Sequence, residues 1–205
     1  MKILLINNDS DTWSKLVTVA EATGHEVDPI HHSAIGAIDA RAYDVAILSG
    51  GWWADYQEIP EILVLYAEEL QFIKSAPIPI VGICVGMQLQ HVATNQAVPL
   101  MDEPQSGDKP ITINERGQKL FGLPPELEVF KNHTRAIFET DPQFEILATS
   151  STTPKFTEIM IHRQKPLLGV QFHPEMGPVD AAAGRLNALI NGLLDTEQAK
   201  ALKAQ

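Results

Sequence analysis

The stretch Pro79 to Gln90, PIVGICVGMQLQ, constrains this chain more than any other. Ile78 to Ile83 is almost wholly apolar and rich in Ile and Val. A run so short and so apolar predicts a central parallel strand buried on both faces. It runs into Gly82-Ile83-Cys84-Val85-Gly86, and the helix-forming Met87 to Gln90 follows at once. Strand, tight turn and helix in that order make a nucleophile elbow, with Cys where the hydrolase version carries Ser. The turn strains the backbone at the nucleophile, and glycines beside it let strand and helix approach closely. The sulfur is expected above the carboxyl edge of the sheet, at a helix N-terminus whose N–H groups favour a thiolate. A buried structural Cys between glycines is the plainer reading of the same residues.

Upstream of this elbow the pattern alternates. Lys2 to Ile6 reads as a strand, and Asn7 to Thr12 (NNDSDT) as a turn dense in helix-capping residues. Trp13, Leu16, Val17 and Ala20 then share one face of a helix that Gly24 ends. Glu26 to Ile30 reads as a second strand, and Tyr43 to Leu48 as a third running into Ser49-Gly50-Gly51-Trp52-Trp53. Pro60 to Ser75 reads as one helix, with Leu63, Tyr66, Leu70 and Ile73 as its apolar stripe. Alternation of strand and helix implies a parallel sheet with right-handed crossovers, whose ligands gather at the carboxyl ends of the strands. Gly50-Gly51 and Cys84 both fall at such ends.

Beyond Ala97 the pattern weakens, with Ile111 to Asn114 as a short strand. Leu127 to Lys131, Phe144 to Thr149, Glu158 to His162 and Leu167 to Phe172 read as further strands with little helix between them. This half is expected to be an antiparallel or mixed extension. From Asp180 a helix carries the stripe Leu186, Leu189, Ile190, Leu193 and Leu194, and the polar tail after Asp195 is expected to fray. The fold class is therefore α/β: a mostly parallel, flavodoxin-like central sheet with flanking helices and an antiparallel strand extension. With 205 residues and no internal repeat or linker, residues 1–205 are expected to form a single domain.

The bulk numbers exclude several classes. A net charge of −11 without any Lys or Arg cluster argues against nucleic acid. One Cys excludes an intrachain disulfide and a Cys-rich zinc site, and suits a reducing compartment. His31 and His32 are adjacent and cannot share one strand or helix face, so no metal is expected there. The apolar run Ile3 to Ile6 is too short for a secretory signal, and no run approaches the roughly 18 apolar residues of a membrane span. A cytoplasmic location with no membrane partner is expected.

The chemistry-bearing constellation pairs the elbow with His173-Pro174-Glu175 at the end of the strand Leu167 to Phe172. A stiff Pro holds the His and the carboxylate in fixed relation. A catalytic imidazole needs one nitrogen facing the nucleophile and the other bonded to a carboxylate that sets tautomer and angle. Cys84 would be the nucleophile, His173 the base and later acid, and Glu175 the orienting group. Alone, His173 is more simply a polar residue at a strand end, and the Gly pair an ordinary turn. Their combination with the elbow Cys is what points to acyl transfer.

GICVGMQ and GVQFHPE together resemble the class I glutamine amidotransferases of the triad type. The likeness is best to the amidotransferase parts of GMP synthetase and of anthranilate and aminodeoxychorismate synthases, and it covers nearly the whole chain. LSGG at Leu48 to Gly51, Phe121-Gly122-Leu123-Pro124 and Asn132-His133-Thr134 sit where that family carries similar segments. The resemblance implies glutamine hydrolysis through a γ-glutamyl thioester on Cys84, with the oxyanion held by the N–H groups of Gly51 and Val85. It implies that Gly50, Gly51, Gln88, Thr134 and Arg135 surround the substrate, and that no cofactor or metal takes part. A separate synthase is the expected consumer of the ammonia, since this length leaves no room for a synthase domain. Two positions depart from the family: Trp52-Trp53 replace the usual Pro after the Gly pair, and Val85 stands where Tyr, Leu or Asn is common. The tryptophans raise two further readings of this stretch, plain core packing or an aromatic wall for a substituted γ-glutamyl amide or peptide hydrolysed without a partner. A non-catalytic regulatory module on the same fold is the third functional reading.

Overall fold

The computed structural model describes residues 1–53 and 59–204. Five strands form the parallel half of one sheet: β1 (Lys2–Asn8), β2 (Glu26–His31), β3 (Val45–Gly51), β4 (Ile80–Ile83) and β9 (Leu167–Val170), in the order β2-β1-β3-β4-β9. Ile3–Ile6, Val45–Leu48 and Ile80–Ile83 are buried at every position, as unbroken apolar runs require when helices cover both faces of a sheet. Helix α1 (Trp13–Ala22) packs with α6 (Val179–Leu194), while α3 (Ala67–Ser75) packs with α4 (Val85–Val92), which lies along β3, β4 and β9.

The single helix expected over Pro60 to Ser75 is two. Helix α2 (Ile59–Leu65) ends at Tyr66, whose backbone (φ −108, ψ 26) leaves the helical region before α3 begins. The break shifts the phase of the stripe: Tyr66, Leu70 and Ile73 are buried, but Leu63 is exposed and Ile62 takes the inward place. The polar tail expected to fray is helix α7 (Glu197–Lys203), capped by the Thr196 hydroxyl, which accepts from the Ala199 N–H at 3.3 Å.

The second half is antiparallel, in the order β9-β8-β7-β5-β6. The punctuated stretch from Ala97 to Gly122 holds a 14-residue strand, β5 (Leu100–Ile113), and a short helix, α5 (Glu115–Phe121). Strand β5 pairs along its length with β6 (Glu126–Arg135), with a register break between Leu100 and Gln105. Only Ile111 and Ile113 of β5 are buried, so a ladder of backbone bonds rather than an apolar face defines most of this ribbon. That is why a pattern-based reading sees so little of it. Strands β7 (Phe144–Ser150) and β8 (Thr157–His162) complete the sheet.

The sheet curls. Strand β6 is at its far edge, yet the Phe130 carbonyl accepts from the His173 N–H at 2.9 Å, just past β9. Lys131 of β6 forms a fully buried ion pair with Glu158 of β8, a strand that is not its neighbour in the sheet. The curl lays Lys131 to Arg135 over the carboxyl ends of the parallel strands. Among the described residues no helix is long and apolar enough to cross a membrane.

Candidate active site

Cys84 stands between β4 and α4 with φ 49 and ψ −105, a left-handed backbone that a residue with a Cβ rarely adopts. Such a conformation costs about 1–3 kcal/mol and persists only where its surroundings impose it. The surroundings are the flanking glycines. A Cβ on Gly82 would lie 2.6 Å from the carbonyl of Gly86, and one on Gly86 would lie 2.7 Å from the Leu48 carbonyl of β3. Strand and helix can close to this distance only without those side chains. Val85, the first residue of α4, has an N–H with no partner within the helix. The elbow read from the sequence is therefore present as a strained turn at the carboxyl edge of the sheet.

His173 follows β9 and turns its ring to this edge. Its Nδ1 is 2.8 Å from Glu175 Oε1, and the Cys84 side chain lies close enough to act on the same ring. Gly50 lies beneath the ring: a Cβ there would meet His173 Cε1 at 2.9 Å and Cys84 Cβ at 3.6 Å. Burial disfavours the charged ring, but the bonds to Cys84 and Glu175 outweigh it and push the His173 pKa up to about 10. At neutral pH the ring is an imidazolium set between a sulfur and a carboxylate. Burial also opposes ionisation of Glu175, and the bond to His173 reverses the balance, holding this carboxyl below its ordinary value. The His173–Glu175 turn is clamped from α6, where Arg185 Nη2 donates to the carbonyls of Pro174, at 3.2 Å, and Met176.

These groups form the floor of a cleft of about 370 Å³. Gly51, Cys84, Val85, Gln88, Thr134, Arg135 and His173 all line it, whereas Gly50, packed against the His173 ring, and Glu175, bonded to it, do not. Gln88, expected to grip a substrate, has its Nε2 already engaged. That group donates to the Arg135 carbonyl at 3.1 Å and to Gln171 Oε1 at 3.2 Å, which leaves Oε1 as its means of holding a ligand. The two tryptophans divide their roles. Trp53 is buried with its ring 4.7 Å from the Arg135 guanidinium, and Trp52 is 63% exposed at the cleft wall.

Three contributors escape a reading of the sequence. Thr12 counts there as a cap for α1, but its side chain makes no cap bond and instead donates to Glu175 Oε1 at 2.7 Å. Gln171, given no role in the strand Leu167 to Phe172, donates to Cys84 Sγ at 3.6 Å and joins it to Gln88. Behind the Gly pair, fully buried Glu69 of α3 accepts from Asn8 Nδ2 at 3.0 Å, and the Asn8 N–H donates to Ser49 Oγ at 2.9 Å. No local pattern marks any of the three, because each acts between segments far apart in the chain.

A sulfur on a strained elbow, an imidazolium bridging it to a buried carboxylate and a helix N-terminus beside it form an arrangement suited to acyl transfer. Comparison with known proteins agrees with this chemistry. The chain is 32% identical over 181 residues to an aminodeoxychorismate synthase of Streptomyces griseus, covering 85% of this chain but only 24% of that protein. It is 28% identical over 176 residues to a subunit of the glutamine-hydrolyzing GMP synthase of Thermoplasma volcanium, covering 86% of this chain and 84% of the relative. A crystallised candidate GMP synthase subunit from Thermoplasma acidophilum shares the fold with a TM-score of 0.81 at 22% identity, over 100% of this chain and 98% of the other. Since the family model described as glutamine amidotransferase class-I matches residues 4–187, the elbow and the His-Pro-Glu turn both included, this chain belongs to the class I glutamine amidotransferase family.

Proposed function

We propose that this protein is a glutaminase-type cysteine hydrolase that releases ammonia from the side chain of glutamine for a separate synthase. The observation that carries this reading is the single imidazole of His173 shared between Cys84 and Glu175 at the cleft floor. In the proposed reaction the Cys84 thiolate attacks the side-chain amide carbon, and the N–H groups of Gly51 and Val85 receive the oxyanion. His173 gives its proton to the departing nitrogen, ammonia leaves, and a γ-glutamyl thioester remains. Water then attacks the thioester, His173 takes the water's proton, and glutamate leaves as the thiolate reforms. Gln88 Oε1 and the backbone near Thr134 and Arg135 hold the amino-acid end of the substrate. A separate synthase is supported by the likeness to a protein named as one subunit of a GMP synthase.

The test is a glutaminase assay of the purified chain, alone and with candidate synthases, beside Cys84→Ala. Turnover of the parent chain above that of the variant is expected. Equal turnover under every condition refutes the proposal.

A second reading keeps the triad and changes the substrate to a substituted γ-glutamyl amide or peptide. Exposed Trp52 on the cleft wall favours it, because an aromatic surface there suits an apolar group on the amide nitrogen. A panel of γ-glutamyl compounds separates the two, and a strong preference for free glutamine eliminates this one.

A further inference from the structure

Outside the cleft, at the carboxyl ends of β1 and β2, three side chains converge that the reaction does not use. Asp9 follows β1 in a left-handed backbone (φ 59), His31 closes β2, and His32 opens a 3₁₀ turn over His32–Ala37. Neighbours within a strand point to opposite faces, the ground on which the sequence argues against a shared ligand. The strand ends at His31, however, and the turn brings both rings round to Asp9. His31 Nε2 lies 3.1 Å from Asp9 Oδ1 and His32 Nε2 lies 3.8 Å from Asp9 Oδ2. One ligand atom from each of the three residues falls within 4.8 Å of the others.

Both rings are held. His32 is buried, with its ring 4.8 Å from that of Tyr66 and 4.3 Å from that of His31. His31 Nδ1 meets Ser33 Oγ at 2.8 Å. A surface hydrogen bond with Asp9 accounts for His31. It does not account for a second, buried imidazole presenting Nε2 to the same carboxylate.

We propose that Asp9, His31 and His32 bind one divalent transition-metal ion of the zinc type. Two imidazole nitrogens and one carboxylate oxygen suit Zn²⁺, with water completing the coordination, and do not suit Mg²⁺ or Ca²⁺, which prefer oxygen throughout. On binding, Nε2 of each ring gives its lone pair to the metal. The His31 ring changes tautomer as it does so: the proton that Nε2 shares with Asp9 passes to Nδ1, which gives up the Ser33 N–H it accepts at 3.3 Å and donates to Ser33 Oγ, the orienting bond that metal-bound imidazoles use. The ion would tie β2 to the loop after β1, whose Ser10 and Thr12 line the cleft and whose Thr12 holds Glu175.

Titration calorimetry of ZnCl₂ into the full chain tests this, in a Cys84→Ala background so that the cleft thiolate takes no metal. His31 is exposed, and Asn tolerates the left-handed backbone at position 9, so His31→Ala and Asp9→Asn are suitable partners, each checked for folding by circular dichroism. Expected are one Zn²⁺ per chain, at least about tenfold weaker binding in either variant, and no heat with MgCl₂. Equal zinc affinity in all three proteins overturns the proposal, as does an absence of zinc binding in the Cys84→Ala parent.

Discussion

At the scale of single residues, the candidate site depends on charges held against the cost of burial. His173 and Glu175 are both deeply buried, and each keeps the other ionised. Glu175→Gln removes the anion from this pair while preserving its shape. The His173 pKa then falls from about 10, and the alkaline limb of the kcat/KM profile for glutamine moves to lower pH. A loss of about 100-fold or more in kcat is expected, by analogy with neutralising the carboxylate of a Ser-His-Asp triad. Thr12→Val removes one hydrogen bond to the same carboxylate. Bonds to charged groups are worth about 1.5–3 kcal/mol, so kcat should fall by roughly tenfold or more while KM changes little. Steady-state kinetics across pH check both, and an unmoved limb in Glu175→Gln would remove Glu175 from the proposed chemistry.

At the scale of elements, the site is assembled by three turns and one returning strand. The β4–α4 elbow presents the sulfur, the turn after β9 presents the imidazole, and the end of β3 contributes the Gly pair. Strand β6 closes the cleft from above, and the Lys131–Glu158 pair fastens it to β8. Burial pushes the Glu158 carboxyl up to about 7 even though Lys131 works against the shift. Lys131→Met alone leaves a buried carboxyl without its cation and should cost about 3–5 kcal/mol of stability. Lys131→Met with Glu158→Leu replaces both charges by apolar groups and should recover most of that loss. Urea unfolding of the single and double variants measures the difference; equal stability of the two would show that the unpaired Glu158 carboxyl is not the source of the loss.

At the scale of the whole molecule, buried acids link folding to pH. Glu69 is completely buried, and desolvation pushes its carboxyl from 4.5 up to about 8 against one opposing bond from Asn8. The folded chain keeps this proton where the unfolded chain releases it. Its contribution is therefore full below about pH 4.5 and is lost as pH rises to about 8, at about 1.4 kcal/mol per pH unit within that window. Glu69→Gln is neutral throughout, so its stability relative to the parent should rise from about pH 5 to about pH 8, a trend that urea midpoints at several pH values would reveal. A constant difference would mean that Glu69 is ionised when folded. The parallel half, the elbow and the His-Pro-Glu turn are legible in the sequence because local signals encode them: unbroken apolar runs, glycines beside Cys84, and a proline between His173 and Glu175. Most of β5 lacks such a signal, since backbone pairing specifies it and only Ile111 and Ile113 of its residues are buried. The kink at Tyr66 and the turn that swings His32 beside His31 also follow from packing. The chain by itself determined which groups could carry the chemistry and on which edge of a sheet they would lie. The tertiary structure alone decided what surrounds them, bringing Thr12 to Glu175, Gln171 to Cys84 and Asp9 to two imidazoles, because contacts between residues distant in the chain arise from how elements pack and leave no periodic trace in it.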